Sequence, residues 1–84
     1  MTQADITKKI GKKVKVAFKP NDRRFPMIGV FVNCPDSEDL LSKGMIRFIN
    51  QSRMDFVKDW SSPEIGLTRI YKITDFNFIQ LING

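Results

Sequence analysis

Histidine is absent from this chain and cysteine occurs once, at Cys34. Together these shortages exclude a good deal of chemistry. Zinc sites draw on Cys and His, and the chain offers a single residue of those two types, so a structural or catalytic zinc centre is not expected. One thiol makes no internal disulfide, and nothing in the cysteine usage argues for an oxidising compartment. Cys34 also has no imidazole anywhere to act as its base, and Lys43 is the nearest cation in sequence. It reads as a small, buried, inert apolar residue rather than a nucleophile.

Long hydrophobic runs are lacking too. The longest, residues 27–32, includes Gly29 and falls far short of the roughly 18–20 residues a spanning helix needs. The opening Met1-Thr2-Gln3-Ala4-Asp5 does not have the basic-then-apolar order of a secretion signal, so the expected location is the cytoplasm and no membrane association is expected. Glycine-rich phosphate loops are missing in both the G-x-G-x-x-G and the G-x-x-x-x-G-K-[ST] forms, and the chain is too short for a doubly wound dinucleotide domain. No cofactor is expected. The acidic residues Asp36, Glu38 and Asp39 cluster, but without the ligand spacing or closing Glu of an EF-hand loop, and they read as a solvated acidic turn. Catalysis would have to rest on carboxylates, Lys, Tyr or Cys34, and no pair of these has a recognisable spacing. A non-catalytic protein is expected.

What remains is ordinary globular content in 84 residues, 42% of them apolar and seven of them Phe. That suffices for one domain, covering 1–84, of a size that folds without staples. No internal repeat, linker or low-complexity tract divides it. The hydrophobic rhythm changes once. Residues 2–10 read as a short helix capped by Thr2, with Asp5 in its first turn, Lys8 and Lys9 near its end, an Ile6/Ile10 stripe, and Gly11 in terminating left-handed geometry. From Lys12 the period is two. Over 12–19, Val14, Val16 and Phe18 oppose Lys13, Lys15 and Ala17, with Lys19 continuing the polar face.

Turn chemistry at Pro20-Asn21-Asp22 leads into a strand over 25–33 that is apolar on both faces, its Gly29 marking a bulge or bend. A loop over 34–43 follows, in which Leu40-Leu41 docks a short turn back on the core. Further strands are expected over 45–50, 53–60, 67–73 and 76–82. Gln51-Ser52 and 61–66 serve as connections, and Thr74-Asp75 as a break of one helical turn. Connections this short make parallel crossovers unworkable, so the sheet is expected to be antiparallel. The fold class is mainly β: a short N-terminal helix followed by five to six antiparallel strands in a small, partly open barrel.

The run Ile10-Gly11-Lys12-Lys13-Val14-Lys15-Val16 after a short helix, the second strand carrying Gly29, the acidic turn, the strand over 45–50 and the closing pair led by Arg69-Ile70-Tyr71-Lys72-Ile73 together resemble the SH3-like small barrels, the Sm-like type among them. The resemblance spans most of the chain and implies the fold. Sm-like proteins read RNA through an Asp-x-x-x-Asn loop and a later Arg-Gly or Lys-His loop. Here Asp36 is followed four residues on by Leu40, and the turn at Thr74-Asp75 has no glycine. Neither ring assembly nor the base-binding pocket is therefore carried over.

Charge is the remaining functional signal. Up to Arg24 there are eight basic and two acidic residues, a net +6; from Phe25 onward there are six basic and seven acidic, a net −1, together the +5 of the chain. Lys8, Lys12, Lys13, Lys15, Lys19, Arg23 and Arg24 are the candidate contacts for RNA or DNA, mostly to phosphate. Phe25, Trp60 and Tyr71 are the aromatics that would stack bases if exposed, although rim or core packing is the plainer expectation for each. The competing reading of the lysines is a solvated face that blocks edge pairing. The competing function is a protein-interaction module, a homo-oligomer or accessory subunit, resting on the apolar residues on both faces of 25–33 and 76–82.

Overall fold

A computed structural model describes residues 3–57 and 65–82. Its first element, α1 (Gln3–Thr7), is a helix too short to persist alone, and it is held by docking: Ile6 is completely buried in the main core, and the Gln3 side-chain amide donates to the Leu41 carbonyl. The helix ends earlier than expected. Turns continue to Gly11, whose φ of +82° takes the chain into the sheet while its N–H donates to the Phe31 carbonyl at 2.9 Å. The proposed Thr2 cap lies outside the described residues.

Among the described residues five antiparallel strands form one sheet: β1 (Lys13–Phe18), β2 (Met27–Phe31), β3 (Met45–Asn50), β4 (Arg69–Lys72) and β5 (Phe76–Leu81), in the order β4-β3-β2-β1-β5. Directly opposed residues share a face, so the register separates the two sides of the sheet. On the inner side each strand supplies one ring, Phe18, Phe31, Phe48, Tyr71 and Phe76. Tyr71 on one edge strand lies 6.1 Å by centroid from Phe76 on the other. Two strands four places apart in a flat sheet would sit roughly 19 Å apart, so the sheet curls strongly around this aromatic centre. The ladder itself stays open, with β4 and β5 as its two edges.

The outer side carries a second, smaller cluster of Val30, Val32, Cys34 and Ile49, with Met54 and Val57 packed on it. Two cores on opposite faces explain why β2 is apolar on both. Two expectations are corrected here. The segment 34–43 contains α2 (Ser37–Ser42), a helix rather than loop throughout. The Cys34 N–H donates to Ser37 Oγ at 2.7 Å, closing the turn before it, and Leu40 is buried, docking the segment as anticipated.

In the supposed strand over 53–60, the described part is instead the end of α3 (Gln51–Met54) and a turn, and no sixth strand occurs among the described residues. Asn50 Oδ1 accepts from the Ser52 N–H at 3.2 Å, an N-cap that starts a helical turn as β3 ends. Met54 and Val57, three residues apart, then face the sheet while Phe56 is 69% exposed, so the helical period wins over the alternating one. The remainder of that expected strand, 58–60, lies outside the described residues. β4 is shorter than expected because residues 65–67 and 73–75 form 3-10 turns, the latter coinciding with the helical turn expected at Thr74-Asp75.

Candidate nucleic-acid interface

Of the seven basic residues singled out in sequence, β1 places Lys13 and Lys15 on the outer side, opposite Val30 and Ile28 of β2 and, for Lys15, Gln80 of β5. Lys8 and Lys12 precede the same strand and are exposed. Lys19 and Arg23, also exposed, sit in the connection from β1 to β2. None of these six forms an ion pair among the described residues.

Arg24 is different on both counts. It lies on the inner side, its guanidinium carbon 4.0 Å from the centre of the Phe18 ring and 6.0 Å from that of Tyr71. It is also already engaged. Nη2 donates to Asp22 Oδ2 at 2.7 Å and to Asp75 Oδ2 at 3.0 Å, and Nε donates to both Asp22 oxygens. These hydrogen bonds hold the Asp22 carboxyl below the usual carboxylate range and raise the Arg24 guanidinium further above neutrality. Arg24 thus ties the β1–β2 connection to the 3-10 turn before β5. Lys13 and Lys15 share the outer face of β1, Lys8 and Lys12 precede that strand, Lys19 and Arg23 follow it, and Arg24 is tied down on the inner side.

Arg24 also opens onto a feature the sequence did not reveal, a cleft of about 420 Å³ at the inner end of the sheet. Its floor includes Phe18, Met27, Phe48 and Tyr71, and Tyr71 donates its hydroxyl to the Met27 sulfur at 3.4 Å. Its walls carry Phe25, Arg53 and Arg69. Phe25 is 86% exposed, which overturns the expectation that it packs. Tyr71 is half-buried against the core, as rim packing requires. Trp60 lies outside the described residues. Arg53 and Arg69 lie outside the basic N-terminal segment and are far apart in sequence, so charge counting does not single them out. Only the curl of the sheet, which sets Arg69 opposite Phe48 on the inner side, brings Arg69 to the cleft.

The other charged group of note is structural. Arg47, buried on the outer side of β3, grips Asp36 through two nitrogens, Nε to Oδ1 at 2.9 Å and Nη2 to Oδ2 at 2.7 Å. Its Nη1 donates to Thr68 Oγ at 2.9 Å. The Arg47 hydrogen bonds hold the Asp36 carboxyl below its ordinary value. The acidic turn is therefore partly committed: Asp36 pairs with Arg47, and Asp39 with Lys43 at 3.0 Å. No three His, Cys, Asp or Glu side chains among the described residues are grouped to hold a metal ion. Cys34 is buried in the outer cluster, and burial pushes its thiol pKa up. No described helix is long and apolar enough to cross a membrane. No family model matches the chain, no curated protein matches it, and no solved structure matches it.

Proposed function

We propose that this protein is a small, non-catalytic, cytoplasmic nucleic-acid-binding module built on an SH3/Sm-like, partly open barrel. The strand order, the 3-10 turn between β4 and β5 and the curl that brings their rings together support the barrel reading. The observation that carries the functional reading is the set of six basic side chains, Lys8, Lys12, Lys13, Lys15, Lys19 and Arg23, on β1 or in the segments just before and after it, left without an ion pair among the described residues. Cations committed to stability find partners, as Arg24 and Arg47 do here. Cations left open are free to replace the counterions of a phosphate backbone. The double reversal Lys15→Glu with Arg23→Glu is expected to abolish binding of RNA or DNA in an anisotropy assay while leaving the circular dichroism spectrum unchanged. Unaltered affinity in that variant would count against the reading.

A second reading is favoured by the edges. Ile70 on β4 and Phe78 and Leu81 on β5 are each 44–45% exposed, on the two strands whose outer hydrogen-bonding groups lack a partner strand among the described residues. Such edges suit self-association. Sedimentation showing a monomer at all accessible concentrations would remove this reading.

A further inference from the structure

The lysine-bearing surface offers charge alone, whereas the inner cleft offers charge together with an aromatic ring. Its volume of about 420 Å³ falls at the small end of ligand pockets, and a duplex does not enter a space of that size. The charged side chains lining it are Arg24, Arg53 and Arg69, with no described carboxylate among its walls. Arg24 is already bound to Asp22 and Asp75. Arg53 and Arg69 form no ion pair among the described residues. A planar guanidinium fork matches the oxygens of a phosphate group.

Beside these two arginines stands Phe25, 86% exposed on the cleft wall. A ring so placed forgoes the free energy of burial. The chain holds it there: the Arg24 N–H is tied to Asp22 Oδ1 at 2.9 Å on one side, and Pro26 restricts the backbone on the other. Asn50, also lining the cleft, uses its oxygen to cap α3, which leaves its amide nitrogen as a further donor.

We infer that the cleft takes one nucleotide unit of an unpaired strand, with the base stacked on Phe25 and the phosphate held by Arg53 and Arg69. This rests on the nucleic-acid reading above and adds where the strand is gripped and in what form. A base reaches Phe25 only when it is free of its partner strand, so the ligand is single-stranded.

The test compares labelled poly(dT) with a dT·dA duplex by anisotropy at low salt, using the wild-type protein, Phe25→Ala, Arg69→Ala and Lys15→Glu. Phe25 and Arg69 are both exposed, so these variants keep the fold. Phe25→Ala should weaken single-strand binding about 5- to 150-fold and leave duplex affinity unchanged. Arg69→Ala should reduce the salt dependence by about one phosphate contact. In the unmodified protein, thymidine monophosphate should shift the backbone amide resonances of Phe25, Asn50, Arg53 and Arg69. If both cleft variants bind poly(dT) like wild type while Lys15→Glu loses it, or if the mononucleotide perturbs only residues 8–15, the cleft is not the site and the polyanion reading stands alone. If wild-type protein binds neither nucleic acid, that underlying reading falls and the cleft assignment with it.

Discussion

Gly29 shows how narrow the tolerances around the aromatic centre are. A Cβ there would lie 2.0 Å from the Ile49 carbonyl oxygen and 2.7 Å from the Phe48 ring. The ring is a core member and the oxygen belongs to the backbone of the neighbouring strand, so neither yields readily. Gly29→Ala is expected to destabilise the fold by about 3 kcal/mol, at the upper end of overpacking costs, as read by the urea midpoint; a change below about 0.5 kcal/mol would contradict this contact. The sequence suggests a bulge or bend at Gly29; in the structure its requirement is the close approach of the Ile49 carbonyl and the Phe48 ring.

The Arg47–Asp36 pair carries a pH signature. Asp36 has a folded-state pKa below its unfolded value near 3.9, because Arg47 donates to its ionised form. Its contribution to stability is therefore complete above that value and is lost as pH falls through the folded pKa. The wild-type urea midpoint should drop below about pH 4. Asp36→Asn should lower the midpoint at neutral pH and flatten the acid limb, while the Asp22–Arg24 pair preserves part of it.

Among the elements, α3 is the one whose character the sequence concealed. The segment from Arg53 to Phe56 alternates like a strand, and only two features mark it as helical: Asn50 as a cap and the Met54/Val57 spacing. Neither stands out until β3 is known to end at Asn50. By contrast β1 keeps its expected alternation from Lys13 to Val16, because Val14 and Val16 meet the aromatic centre while Lys15 stays exposed, whereas β3 is buried on both faces. The helix α2 lacked a periodic signal, being a single docked turn around Leu40. The cleft was illegible for a related reason: Phe25, Arg53 and Arg69 are distant in sequence and meet only through the curl of the sheet.

The role of α3 as a cover can be measured. Asn50→Ala should cost about 1 kcal/mol through the lost cap. Cys34, buried in the outer cluster against which Met54 and Val57 pack, should react with a thiol reagent in the native protein only slowly, and Met54→Ala should accelerate that reaction without unfolding the sheet. Prompt labelling of the native wild-type protein would show that the outer cluster is not sealed.

Across the whole molecule, charge and apolar exposure are distributed unevenly. Lys13 and Lys15 lie on β1, at the interior of the sheet order between β2 and β5, so these two do not guard an edge, whereas Arg69 and Lys72, also without an ion pair among the described residues, sit on the edge strand β4. The open edges also carry the exposed apolar residues Ile70, Phe78 and Leu81. For Lys13 and Lys15 the interior position of β1 removes edge protection as an explanation. It also allows two molecules to meet edge to edge without bringing the strand that carries Lys13 and Lys15 to the junction.

The central claim, that the open cations around β1 bind a nucleic-acid backbone, is tested most directly by the affinity of wild-type protein for single-stranded poly(dT) across a salt series. Each backbone phosphate neutralised on a single strand contributes about −0.7 to the slope of log K against log salt. The six unpaired residues therefore predict a straight line with a slope between about −2 and −4. Affinity that does not respond to salt, or no detectable binding at low salt with tens of micromolar protein, would contradict it.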